Sequence, residues 1–256
     1  MIDSHTHLFF CERPEAEVVA SAVEAGVKRM LNVGLDRPSN LHAIASAECY
    51  ESVFATVGCH PTEASGFDDA LAEEITRQAA DGEKVRAIGE TGIDYYRETA
   101  SRAEQRRAFE AQIDIARHHD LPIVIHARDP EGETGAVDDV FKILDARGDG
   151  VSVILHCFAA PWRVQDAIDR GWYCSFSGVV TYPSAGELRE AAAKLPGELV
   201  LVETDAPYLA PQPIRGQTNE PAHVVSTAEV VAEVRGVSYE ELERTVEANA
   251  RTLFGW

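Results

Sequence analysis

The sequence predicts a (β/α)8 barrel, an α/β fold, and three observations carry that prediction. The chain is 256 residues long, close to the roughly 250 typical of a complete barrel of this kind. Apolar, β-branched runs alternate with longer Ala/Glu/Arg-rich segments of helical period from one end to the other. Eight such runs can be picked out, each followed by a helical segment, and short connections between parallel strands need a crossover helix. A doubly wound open sheet would satisfy the same alternation, but its GxGxxG nucleotide fingerprint is missing.

In chain order, the expected strands are Ile2–His5, Val27–Gly34, Val53–Gly58, Val85–Gly89, Leu121–His126, Val151–His156, Trp172–Phe176 and Leu199–Glu203. Each is a short β-branched or apolar run bounded by polar or turn residues. The expected helices are Pro14–Ala25, Leu41–Tyr50, Asp68–Ala80, Ser101–Asp120, Ala136–Arg147, Trp162–Arg170 and Glu187–Leu195, with Pro221–Arg235 and Tyr239–Leu253 after the last strand. No linker, low-complexity tract or internal repeat interrupts them, so residues 1–256 read as one barrel domain.

Composition narrows the function classes. The chain is 45% hydrophobic without any run near the roughly 20 apolar residues of a membrane span. Its start, MIDSHTHLFF, lacks a basic n-region and an apolar h-region, so the expected location is the cytoplasm. Five scattered cysteines without a CxxC pair argue against a disulfide framework or a thiolate zinc knuckle. Cys59 and Cys157 neighbour motif histidines, but strand alternation should turn both away from a site. The formal charge is −20, from 43 acidic and 23 basic residues, of which only Lys28, Lys84, Lys142 and Lys194 are lysines. Such a balance argues weakly against a polyanionic substrate. It also suits a halophilic protein, because molar salt screens the self-repulsion of a carboxylate surface.

In a (β/α)8 barrel the chemistry lies at the C-terminal ends of the strands. The first strand ends in Asp3-Ser4-His5-Thr6-His7, whose period of two puts both imidazoles on one face. An HxH pair alone is a weak signal, because paired histidines also occur on surfaces. The fourth strand leads into Glu90, a carboxylate with two oxygens to offer. The fifth and sixth, LPIVIHAR and VSVILHCF, end in His126 and His156, and the eighth, LVLVETDAPYL, delivers Glu203 and Asp205 to one face. A single histidine closing an apolar run is usually a hydrogen-bonded core residue. Four histidines and two carboxylates at strand ends are better explained as a metal site built from His5, His7, Glu90, His126, His156 and Asp205. The other histidines fall elsewhere: His42 within a helix, His118 and His119 at a helix C-terminus, and His223 in the first turn of a late helix. His60, in GCHP, ends the third strand and is expected to contact substrate or position a phosphate, the alternative being a structural turn role set by Pro61.

The motifs DSHTHL, GCHP, GETGIDYY, IHAR, LHCF, ETDAPYLAP and RGQTNEP, in this order and spacing, resemble the TatD family of metal-dependent deoxyribonucleases, within the amidohydrolase-like barrels. The resemblance covers essentially the whole chain. It implies two divalent ions, one held by His5, His7 and Asp205 and the other by His126 and His156, with Glu90 bridging, and DNA as the substrate. Two such ions would activate a water for attack on phosphorus. Asp205 is the candidate general base; Glu90 and His60 complete the catalytic group, and His60, Arg128, Tyr208 and Arg215 are candidate substrate contacts. Arg128 could equally form an ion pair with a nearby acid. Asp3 and Glu203 suit a role orienting imidazole N–H groups from one layer below. Asn219 reads first as a helix-start residue and secondly as a substrate contact. By ligand type the donors favour Zn or Mn over Mg, whereas the resemblance implies Mg-supported nuclease activity. A departure from the family pattern is the acid-rich run ARDPEGETGAVDD after His126. A deacylase acting on an ester or amide, such as D-aminoacyl-tRNA, is the enzymatic alternative, and a non-catalytic metal-binding barrel is the alternative from another class.

Overall fold

The computed structural model describes residues 1–97 and 99–256. Among them are eight strands in one parallel sheet, ordered as in the sequence: β1 (Ile2–Thr6), β2 (Arg29–Val33), β3 (Val53–Val57), β4 (Val85–Asp94), β5 (Ile123–Arg128), β6 (Val153–Leu155), β7 (Tyr173–Phe176) and β8 (Val200–Val202). The helices are α1 (Glu15–Glu24), α2 (Arg37–Cys49), α3 (Asp69–Asp81), α4 (Arg102–His118), α5 (Gly135–Arg147), α6 (Val164–Arg170), α7 (Gly186–Lys194), α8 (Val224–Arg235) and α9 (Tyr239–Phe254). The fold is the expected (β/α)8 barrel. By internal contacts the chain groups into two compact units, Met1–Asn32 with Cys49–Phe54 and His156–Trp256, and Val33–Glu48 with Ala55–Leu155.

In the first unit the first and last strands meet. Thr6 bridges Ala206 in parallel, His7 N–H donates to the Ala206 carbonyl at 2.8 Å, and Asp205 N–H donates to the His5 carbonyl at 2.9 Å. β1 pairs with β2 through Ile2–Arg29 and Thr6–Asn32, and β7 with β8 through Cys174–Val200 and Phe176–Val202. α9 starts where the Ser238 hydroxyl accepts from Glu241 N–H, one of the donors a helix start leaves without an intrahelical partner. Its buried Leu242, Val246, Ala250 and Leu253 recur at helical spacing and face the sheet. Each of the leucine and valine side chains contributes about 1.5–3 kcal/mol of burial.

In the second unit β4 is the element that departs most from expectation. It runs past Gly89 to Asp94, with its register against β5 shifting between Ile88 and Thr91. Gly92 makes this possible. At φ 138° its missing Cβ would lie 2.1 Å from the His126 carbonyl oxygen, so a side chain there would drive the strands apart. Two buried glutamines of α4 bind backbone near the strand ends. Gln105 pairs with both the N–H and the carbonyl of Asp94 at 2.8 and 2.9 Å, and Gln112 does the same for Cys59 at 2.8 and 3.0 Å. α4 itself begins with a reciprocal Ser101–Glu104 cap. α2 starts at Arg37, earlier than the expected Leu41, because the Asp36 carboxylate accepts from Ser39 N–H at 2.9 Å and Pro38 fits the first turn.

Candidate metal centre

In the first unit His5 and His7 follow one another up the end of β1, and their Nε2 atoms converge to 3.3 Å. The Asp205 Oδ1 atom lies 3.8 Å from His5 Nε2 and 3.4 Å from His7 Nε2. The His156 ring stacks on His5 with centroids 3.9 Å apart. His5, His156 and Asp205 each present a donor atom within 4.8 Å of the others. Burial alone would raise the Asp205 carboxyl, yet the His7 hydrogen bond and the charges of His156, His5 and His7 hold it below its ordinary range. β8 has already ended at Val202, and Asp205 stands in a left-handed turn with φ 54°. Strand alternation is therefore not what brings Glu203 and Asp205 to the histidines.

Glu203 is fully buried, and its Oε1 accepts from Cys157 N–H at 2.7 Å and lies 3.1 Å from His156 Nδ1. It thus occupies the orienting position expected of it. Asp3 does not. Its carboxylate is taken by Thr204, by the backbone N–H at 2.9 Å and the hydroxyl at 2.6 Å, with a 3.3 Å contact from His5 N–H. It braces the turn leading to Asp205. Cys157 departs from strand geometry with φ 43°, and its Sγ lies 3.4 Å from Ser177 Oγ.

In the second unit His126 lies between two carboxylates, with Nδ1 2.7 Å from Glu90 Oε1 and Nε2 3.1 Å from Asp94 Oδ2. His60 stands edge to face with His126, centroids 4.5 Å apart, and its Nε2 is 3.5 Å from Glu90 Oε1. His60, Glu90 and His126 form a second group of convergent donor atoms. The Thr62 N–H donates to His60 Nδ1 at 3.1 Å. A neutral His60 therefore carries its proton on Nε2 and presents a donor to the site. Burial pushes its pKa down to about 4, which keeps the ring neutral. Asp94 is brought to about 2: burial works against ionisation, but the His126 hydrogen bond and charge and the Arg97 N–H outweigh it.

Both groups suit a divalent cation by the chemistry of their donors. Ligating imidazoles characteristically give their second N–H to a carboxylate, which fixes the tautomer and aims the lone pair. His156 has Glu203 in that place and His126 has Asp94. The remaining electron-pair donors, His5, His7 and Asp205 in the first group and Glu90 in the second, are imidazole nitrogens and carboxylate oxygens, the set that Zn, Mn and related ions accept, whereas His60 stands in the second group as an N–H donor. Asp94 is a candidate site residue to which the sequence motifs do not point. Its signal was available: counting by two from Glu90 reaches Gly92 and then Asp94.

The candidate substrate contacts sit as follows. The Arg128 guanidinium lies over the Tyr96 ring at 4.1 Å from its centroid. Arg215 lies over Tyr182 at 4.1 Å and donates to its hydroxyl at 2.7 Å. Tyr208 is 47% exposed, with its ring 6.3 Å from that of His7. Asn219 is buried and donates to the Thr204 and Tyr208 carbonyls at 2.9 and 2.7 Å, so it ties down the loop after β8.

A family model described as TatD related DNase matches residues 2–255. The chain belongs to the TatD family. It is 39% identical to the metal-dependent hydrolase TatD of Mycobacterium tuberculosis over 100% of this chain and 98% of that protein. It is 38% identical to the 3'-5' ssDNA/RNA exonuclease TatD of Salmonella typhimurium, over 93% of this chain and 92% of that one. Among solved structures, the TatD homologue YjjV of Escherichia coli K12 matches with a TM-score of 0.90 at 27% identity, covering 100% of this chain and 98% of its own.

Proposed function

We propose that this chain is a metal-dependent hydrolase of nucleic-acid phosphodiester bonds, with DNA as substrate. The observation that carries the reading is the pair of buried donor groups, each with one imidazole anchored on a carboxylate: His156 on Glu203 and His126 on Asp94. His5, His7 and Asp205 would hold one divalent ion, with His156 joining them rather than the second ion to which the resemblance gave it, and His126 and Glu90 would hold a second. Bound there, such ions would supply Lewis-acid polarisation of a phosphoryl oxygen and lower the pKa of a water towards neutrality.

The chain's own residues do the rest. Asp205, held ionised by its histidine neighbours, takes the proton of the attacking water. The His60 Nε2–H donates to a phosphoryl oxygen on which charge develops. Arg128 and Arg215, each stacked on a tyrosine ring, are the proposed phosphate contacts, and Tyr208 borders the His7 side. The Salmonella relative, named for action on single-stranded DNA and RNA, supports a nucleic-acid substrate. Among the described residues no helix is long and apolar enough to cross a membrane. Residues 1–256 are proposed to work as one catalytic domain in the cytoplasm, and the −20 charge supports a halophilic setting.

The test incubates metal-defined protein with end-labelled single- and double-stranded DNA, RNA and D-aminoacyl-tRNA in molar KCl. Shortened DNA is the expected result. Release of amino acid with every strand intact would replace this reading with the deacylase.

A further inference from the structure

Among the described residues, the exposed large apolar side chains are Phe10, Tyr96, Trp162, Tyr208, Val23 and Leu41. The two aliphatic ones lie on α1 and α2. All four aromatic ones lie in loops that follow the C-terminal ends of strands: β1, β4, β6 and β8. Scattered exposed apolar residues are ordinary, whereas a contiguous group beside a site calls for an explanation.

Such a group exists in the first unit. Phe10 is 46% exposed and Tyr208 47%. Their ring centroids are 6.5 Å apart with planes at 59°, and each stands just over 6 Å from the His7 ring, at 6.1 and 6.3 Å. Phe9 backs Phe10 at 4.1 Å, which fixes where that ring stands. The tilt rules out a flat sandwich. A planar group lying on one ring would meet the other edge-on, an arrangement aromatic pairs favour at 4.5–7 Å between centroids. A chain of charge −20 has few cationic side chains with which to neutralise phosphates, so contacts that carry no charge add weight to its affinity for a single strand. Base–aromatic stacking is such a contact and needs no particular base.

We propose that Phe10 and Tyr208 form a base clamp that seats one unpaired nucleobase of a single-stranded nucleic acid beside His7. The proposal rests on the phosphodiesterase reading and deepens it. It makes single-strandedness a property selected by the clamp, since a base paired within a duplex offers neither face to a ring. It also makes sequence preference weak.

The experiment measures equilibrium binding of the full-length, metal-loaded chain to labelled single strands with phosphorothioate linkages, which suppress cleavage. One strand carries its bases, and the other is abasic at every position. Wild-type protein is expected to bind the base-bearing strand about 5- to 150-fold more tightly, the range that base stacking spans. Phe10→Ala and Tyr208→Ala should each remove most of that difference by weakening only the base-bearing strand. Phe10→Trp and Tyr208→Phe, which keep a ring, should retain it, and far-UV circular dichroism on every variant confirms that the fold is kept. Equal affinity of the wild type for both strands, no binding of either, or variants that lose affinity equally for both would overturn the clamp. Cleavage of unmodified strands is scored separately. Base-dependent binding without cleavage supports the clamp and removes the phosphodiesterase reading, whereas cleavage with base-independent binding does the reverse.

Discussion

Asp94→Asn isolates a single hydrogen bond behind the His126 ligand. In the structure Asp94 Oδ1 accepts from Tyr96 N–H at 2.9 Å and Arg97 N–H at 2.8 Å, while Oδ2 faces His126 Nε2 at 3.1 Å. An asparagine must keep its carbonyl oxygen on the two backbone donors, because turning it over would set its NH2 against them. The NH2 is then left facing His126. His126 can no longer donate from Nε2 without opposing two donors, so its proton moves to Nδ1, the nitrogen beside Glu90. The ring loses the lone pair that would ligate metal. Loss of such an orienting partner typically costs 10–100-fold in metal affinity or activity, equivalent to about 1.4–2.8 kcal/mol. Competition of the purified protein against a chelating dye gives the affinity, and steady-state turnover at increasing free metal gives the activity. We expect weaker binding of one ion and partial recovery of turnover at high metal. The thermal midpoint without metal should change little, since the backbone hydrogen bonds remain. Metal affinity and kcat both within twofold of wild type would refute the tautomer argument.

Three further outcomes are expected. Asp205→Asn should lower kcat by far more than tenfold, a barrier increase beyond about 1.4 kcal/mol, with native circular dichroism, because an amide cannot accept the proton; His42→Gln on α2 should leave kcat within twofold in the same assay. Chelation should abolish turnover, and readdition of metal should restore it while raising the thermal midpoint. An ion at 100 times its dissociation constant stabilises the folded state by about 2.7 kcal/mol, and full activity in metal-free protein would remove the hydrolytic mechanism. In a KCl series at fixed free metal, both kcat/KM on DNA and the thermal midpoint should rise from 0.05 M towards the molar range, as the screening length falls to about 3 Å near 1 M; a monotonic fall in activity with the protein folded throughout would reject the halophilic setting.

The sequence made the barrel legible because its evidence is periodic. Strand and helix alternate along the chain, and the apolar stripe of α9 can be counted directly from Leu242 to Leu253. The histidines of β1 and the donors His126 and Glu90 were legible for the same reason, since they stand at the ends of countable runs. What escaped depends on local departures from period. The extension of β4 rests on Gly92 fitting under the His126 carbonyl, and ending that strand at Gly89 hid Asp94. Asp205 stands beside His5 and His7, but through a left-handed turn that strand alternation does not describe. The settings of Arg128 and Arg215 could not be read at all, because the tyrosines beneath them come from other segments of the chain and only folding selects them.

The seam between β1 and the turn after β8 has a consequence for the order in which the molecule is made. Asp3 holds Thr204 across a separation of 201 residues, and the main chain of Asp205 hangs from the carbonyl of His5. On the ribosome, His60, Glu90 and His126 are synthesised and can gather long before Asp205 is added. The proposed general base is thus among the last parts of the centre to arrive, and the backbone that seats it exists only once β8 has found β1. A nascent or truncated chain lacking that closing segment would present a partial donor set with no base in place.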